Sequence, residues 1–222
     1  MKRIFILSSL IFMTLIFVCF SITCKKDNGK ITINGRLYDP YIKKYLSDAR
    51  VTISSSKITS GFYNSNYIDI ATAITDGNGN FSFEFEREKS AGYRFYITKD
   101  KYFDNTIDVA DADVVPGTPY APQFNLFPEA FLKLHVKNNE PWNSSDFIVY
   151  SYATKMPACM GCCTNTSYKG HGTIYDSLIE CKTYGSNDVI INWHVTKMGT
   201  AVVYGDTVFC TPFDTTFYEI LY

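Results

Sequence analysis

Seven cysteines stand in the sequence, and their surroundings divide them by chemistry. Five of them, Cys159, Cys162, Cys163, Cys181 and Cys210, fall in the C-terminal half, three of these in the short stretch Cys159-Met160-Gly161-Cys162-Cys163. In an exported chain such cysteines form disulfides. Five is odd, so one must stay free or pair with another molecule. Adjacent residues of an extended chain point to opposite sides, which gives Cys162 and Cys163 different partners. Bridges from this loop to Cys181 and to Cys210 would staple it down, each contributing about 3 to 4 kcal/mol in the loop-entropy picture; spacing alone leaves the pairing open. The competing chemistry is a metal or a thiolate. Cys159 and Cys162 have the two-residue spacing of a zinc knuckle, and Cys163 and His171 could complete a ligand set. A zinc ribbon would repeat the paired spacing, whereas Cys181 and Cys210 stand alone, so disulfides are expected and no metal site. A catalytic thiol acting with His171, His135 or His194 is a match of composition without geometry.

Cys24 is of another kind. Lys2 and Arg3 open the chain, an apolar run from Ile4 to Phe20 follows, and Ser21 and Thr23 sit three and one positions before Cys24, after which the chain turns charged at Lys25. That is the layout of a secretory signal. With the cysteine at its end it resembles the lipobox of bacterial lipoproteins, although Thr23 stands where that family has Gly, Ala or Ser. The resemblance implies cleavage before Cys24, a diacylglyceryl group on its sulfur, and a protein held on the outer membrane or cell surface. An uncleaved membrane helix is the alternative, since the run approaches the lower limit of about 17 residues for a span. Cys19, between Val18 and Phe20, belongs to the signal. Lys25-Lys26-Asp27 reads either as a surface-export signal or as a solvated linker.

Other chemistry is absent from the motifs. There is no His-Glu-x-x-His, Gly-x-Ser-x-Gly or glycine-rich phosphate loop, so no catalytic residue and no cofactor is expected. The 222 residues carry a net charge of −1, and without Lys2 and Arg3 there are 19 basic against 22 acidic residues. No basic surplus points to nucleic acid. Asp76, Asn78 and Asn80 alternate like the first ligands of a calcium loop, but Phe81 and Arg87 occupy the positions where Gly and Glu would be needed. Asp104, Asp108, Asp111 and Asp113 read as solvated. His135 and His194 fall on polar strand phases, and Trp142 and Trp193 read as packing residues. Asp176-Ser177-Leu178, Asp206-Thr207-Val208 and Asp214-Thr215-Thr216 resemble a bacterial O-glycosylation triplet, and equally read as turn and strand-edge residues.

The elements that must carry these groups are strands. Aromatic residues make up 16% of the chain, and no helical period appears after Cys24. Ile31, Ile33 and Leu37 alternate with polar residues, with Gly35 facing in or making a bulge. Ala49, Val51 and Ile53, and Ile68, Ile70 and Ile74, repeat the pattern. Thr75-Asp76-Gly77-Asn78-Gly79-Asn80 leads into Phe81, Phe83 and Phe85 as a hairpin signal. Ile33-Asn34-Gly35-Arg36-Leu37, Asp48-Ala49-Arg50-Val51-Thr52-Ile53 and the turn into Phe81-Ser82-Phe83 together resemble the carboxypeptidase regulatory-like domain, with Tyr93, Phe95 and Ile97 matching its later strands. The resemblance covers residues 30 to 127 and implies a non-catalytic, transthyretin-like sandwich. Ser54 to Tyr67 reads as a loop insertion, rich in Tyr and Asn, that would serve binding or merely fill the loop.

Three prolines between Val115 and Pro122 read as a linker. Beyond it, Ala130, Leu132, Leu134 and Val136, then Val189, Ile191, Trp193 and Val195, then Tyr218, Ile220 and Tyr222 alternate as strands. The cysteine loop lies between strands placed near Ile148 and Ile174. The expected architecture is all-β: signal peptide 1–23, lipidated tether 24–30, a first β-sandwich 31–127 and a second, 128–222, carrying the cysteine loop. The expected role is a non-enzymatic binding, adhesion or structural lipoprotein, attached to membrane lipid through Cys24 and engaging a protein or glycan. The alternative is a metal- or thiol-dependent protein using Cys159, Cys162, Cys163 and His171.

Overall fold

The computed structural model of the chain describes residues 29–59, 62–154, 162–163 and 166–222. The signal 1–23, Cys24, most of the tether and Cys159 lie outside them. The described chain is all-β, with four sheets forming two sandwich-like modules.

The first module opens with β1 (Lys30–Asp39), β2 (Lys44–Tyr45), β3 (Arg50–Thr59) and β4 (Phe62–Ile74). It continues through β5 (Asn80–Glu86), β6 (Ser90–Thr98), β7 (Asn105–Ala110) and β8 (Gln123–Asn125). One sheet runs β2-β1-β5 with β8 added to β1, and the other runs β4-β3-β6-β7. Period-two alternation places Ile31, Ile33, Leu37, Val51, Ile53, Phe95 and Ile97 in the core between them, fully buried. Gly35 makes no bulge: the β1–β5 register is unbroken from Lys30↔Glu86 to Arg36↔Asn80. A Cβ at position 35 would lie 2.1 Å from the Phe81 ring, so glycine leaves the space that this ring fills.

Three expectations are corrected here. Asp76–Asn80 is not a hairpin turn, because β5 pairs with β1 and not with β4. The Asx chemistry is as read, with the Asp76 carboxylate accepting from Asn78 N at 2.9 Å and Asn80 N at 2.8 Å. Side-chain and backbone donation from Asn80 and Asn78 holds that carboxyl below its usual range. Such a turn reverses the chain locally; here the reversal carries it from one sheet to the other. Secondly, most of Ser54 to Tyr67 is the extended β3–β4 hairpin, with register irregularities near Ser54 and Ile58. Buried Ser54 is matched by Asp69, which accepts from its Oγ at 2.7 Å.

Thirdly, the proline-rich stretch is part of the first sandwich. Tyr120 N donates to Thr32 O (3.0 Å), Asn34 N to Tyr120 O (2.9 Å) and Arg36 N to Pro122 O (2.9 Å), after which β8 continues parallel to β1. Prolines lack a donor yet keep a carbonyl, which suits a sheet edge that only one neighbour must satisfy.

The second module contains β9 (Glu129–Lys137), β10 (Phe147–Thr154), β11 (Ser167–His171) and β12 (Asp176–Tyr184), then β13 (Asn187–Lys197), β14 (Thr200–Cys210) and β15 (Thr215–Leu221). Sheet β11-β10-β13-β14 faces the three-stranded sheet β12-β9-β15, in which the terminal strand runs parallel to β9. The strand expected near Ile174 begins instead at Asp176, and Ile174 itself is exposed. Met198 and Gly199, at φ 52° and 71°, close the β13–β14 hairpin as a two-residue primed turn requires.

The modules meet directly. Phe103 N donates to Phe127 O (3.0 Å), Glu129 N to Lys101 O (2.9 Å) and Gly185 N to Pro128 O (2.8 Å). Around these bonds the rings of Phe103 and Tyr184 approach to 4.2 Å, and those of Tyr102 and Phe213 to 5.3 Å.

Candidate functional site

The cysteines resolve into one described bridge and one buried thiol. Cys163 and Cys181 are joined, their Cα atoms 5.1 Å apart. β12 positions Cys181, and Cys163 N donates to the neighbouring Lys182 O at 2.8 Å, which lays the end of the loop along β12. Cys162 is also disulfide-bonded. The two adjacent cysteines thus have different partners, as their opposite directions require.

Cys210 departs from the expectation. It is a free thiol, fully buried in the second core, and burial pushes its pKa up to about 11. As an inward residue at the end of β14 it packs as a small apolar side chain. Oxidation of Cys162 and Cys163 also removes their thiolates from the metal or nucleophile reading. His171 stacks beside Phe147, with ring centroids 4.4 Å apart, and among the described residues no three His, Cys, Asp or Glu side chains gather as a metal-holding group.

His135 on β9 is less isolated than its polar strand phase implied. Its Nε2 lies 2.7 Å from Asp176 Oδ1 on β12 and its Nδ1 2.7 Å from Glu219 Oε1 on β15, so the ring, when protonated, donates to both outer strands of the sheet. Hydrogen bonding to Asp176 first, then Glu219, raises the His135 pKa. Because the folded value is raised, the stabilisation is fully present below the unfolded value of about 6.5 and fades as pH rises through the folded one. His135→Gln should therefore cost most stability under mildly acidic conditions and progressively less as the medium turns alkaline. Denaturation series at several pH values, with an NMR titration of the His135 ring, check this; an unshifted ring titration would contradict it.

Trp193 packs against the second core, as its strand phase implied, and also borders open space. It lies on the inward phase of β13 and is half-buried. Trp193 stacks on its cross-strand neighbour Tyr204 with centroids 5.5 Å and planes 15° apart, and meets Tyr218 edge-on at 6.5 Å. With Val195, Val202, Leu221 and Tyr222 these two rings line a cleft of about 390 Å³. Lys197 closes one end, donating to Asn138 Oδ1 at 2.8 Å and lying 5.0 Å from the Tyr222 ring centre. Tyr218 Oη donates to Asp206 Oδ2 at 2.6 Å and draws that carboxyl below its usual range. Trp142, the other predicted packing residue, is mostly exposed. The cleft was not legible in the alternation pattern, which marks a face as inward without saying whether the opposing sheet reaches it. The Asp-Ser/Thr triplets show edge chemistry in two cases, with Asp206 and Asp214 each accepting from the next backbone N–H at 2.7 Å.

No family model matches the chain, and no curated protein matches it. Among solved structures it is similar to the Bacillus anthracis TIE protein at 12% identity and TM-score 0.39, over 87% of this chain and 34% of that one, so it spans about a third of that chain's length. It is similar to the minor pilin of Streptococcus agalactiae at 10% identity and TM-score 0.33, over 86% and 94% of the two chains. A shaft pilin from Lactobacillus rhamnosus GG is similar at 11% identity and TM-score 0.28, over 87% and 96%. Likenesses this distant carry nothing about ligand or activity.

Proposed function

We propose that the chain is a non-enzymatic extracytoplasmic lipoprotein, anchored through Cys24 to the outer membrane or cell surface, whose paired sandwiches serve as a binding, adhesion or structural module for a protein or glycan. The observation that carries the binding part is the Trp193–Tyr204 cleft, since stacked aromatic side chains half-open to solvent at a sandwich margin offer apolar contact area with polar tips. The Cys163–Cys181 bridge supports an oxidising compartment, where such bonds persist. The likeness of residues 30 to 127 to carboxypeptidase regulatory-like domains agrees with a non-catalytic first module.

Two acyl chains at Cys24 would hold the protein almost permanently, at about 0.8 kcal/mol per buried CH₂. Cys24→Ser is expected to move essentially all of the protein from the membrane to the soluble fraction, with the diacylglyceryl mass lost and the fold intact. Fractionation and intact-mass measurement check this, and an unlipidated Cys24→Ser protein that stays membrane-bound would establish the uncleaved helix instead. In the same cells, Trp193→Ala should abolish the crosslinks that the wild type forms through the cleft; unchanged crosslinks would remove the cleft from the function.

A further inference from the structure

Sheet edges are where chains add to one another, because an edge strand presents unpaired N–H and C=O groups, and folded proteins blunt their edges with charge, proline, bulges or brevity. Most edges of this molecule are treated in that way. The β1 flank is covered by the proline-rich segment, β4 is irregular against its neighbour, and β7 carries Asp108 bound to Arg94. In the second module β11 is five residues long with Lys169 on it, β12 carries Asp176, Glu180 and Lys182, and β15 carries Glu219.

β14 is the exception. It runs eleven residues, Thr200-Ala201-Val202-Val203-Tyr204-Gly205-Asp206-Thr207-Val208-Phe209-Cys210, pairs among the described residues with β13 alone, and has no Lys, Arg, Glu or Pro. Its one carboxylate, Asp206, is occupied by Tyr218. Val203 is 77% exposed, Phe209 56%, Tyr204 46% and Val202 42%. A strand so long and apolar, with a single carboxylate, is a template for pairing.

The strand's own sequence says which chain fits. Laid antiparallel on a second copy about a two-fold axis through Gly205, it pairs along its full length. Val202 then faces the second copy's Val208, Val203 its Thr207, Ala201 its Phe209, and Tyr204 its Asp206. Small Ala201 meets large Phe209, β-branched residues face one another, the lone carboxylate meets a phenol, and no like charges stand directly opposite. Opposed residues have the same parity, so they share a face and direct their backbone groups into the same seam. We propose that β14 is the dimer seam of this protein: two copies join edge to edge about Gly205, making one eight-stranded sheet from two sheets of the order β11-β10-β13-β14. Such an interface is isologous and closed, so assembly stops at two. This goes beyond the reading above and is independent of acylation at Cys24.

The test uses the full chain in mild detergent, with mass measured by light scattering. Wild type is expected to be a dimer. Val203→Lys with Thr207→Lys sets lysines opposite each other on both sides of the axis and should weaken association about tenfold or more. Val203→Lys with Thr207→Glu restores opposite charges in the same register and should keep the dimer. Gly205→Cys should crosslink to itself on oxidation, and Val203→Cys alone should not, because only residue 205 meets its own copy. A Cβ at 205 approaches Asn192 Oδ1 at 3.1 Å, a side-chain end able to turn aside. A monomeric wild type, equal effects of the two charged pairs, or crosslinking of Gly205→Cys to a different protein in its place would each overturn the proposal.

Discussion

Phe124→Ala is expected to destabilise the first sandwich by about 3 to 5 kcal/mol, the range for truncating a buried aromatic in a core that relaxes only partly. Phe124 is nearly buried, its ring centre 4.9 Å from that of Phe95 and 6.0 Å from that of Phe81, with which it stacks at 16°. These pairs join three strands: β5 supplies Phe81, β6 supplies Phe95, and β8 delivers Phe124 from beyond the prolines. Its loss would open a cavity between the two sheets and weaken the docking of β8 on β1. Urea denaturation followed by far-UV circular dichroism measures the effect. A cost below about 1 kcal/mol would mean that the proline-rich segment does not pack as described.

The second large effect concerns the bridge in the other module. Cys163→Ser with Cys181→Ser should lower stability by about 3 kcal/mol, the loop-entropy value for a closure of this size. The separation is 18 residues, and Cys163 lies in the second core cluster, so the substitution also places a hydroxyl among apolar neighbours. Both effects act in the same direction. Cys210→Ser separates them, since it buries a hydroxyl in the same core without opening any loop. Chemical denaturation of the two variants side by side measures the difference, and equal losses would show that the bridge adds no constraint of its own.

Strand identity was written in the chain because alternation is a local property. Ile31, Ile33 and Leu37, or Leu132, Leu134 and Val136, declare a buried face wherever their neighbours lie. Strand partnership is not local. Asp76–Asn80 has the chemistry of a tight reversal, and that chemistry is equally satisfied whether the chain turns back alongside itself or crosses to the facing sheet. The prolines of residues 116 to 122 suggested a linker because composition reports the missing donors; the accepting carbonyls that hold this segment on β1 depend on tertiary position. The same limit explains Cys210, whose distance from the other sulfurs is set by packing. It also explains Trp193, which alternation puts on the inward face of β13 and tertiary packing leaves beside a cleft.

The parallel placement of β8 against β1 has a mechanical consequence. The chain enters the first module at the start of β1 and leaves it at the end of β8, so traction between Gly29 and Pro128 draws the two strands lengthwise in opposite senses. The bonds from Asn34, Tyr120 and Arg36 lie across that pull and bear it together, in shear, instead of parting one at a time as when a hairpin is peeled from its end. A segment whose prolines suggest slack is therefore the clasp through which load applied to the second module would reach the first.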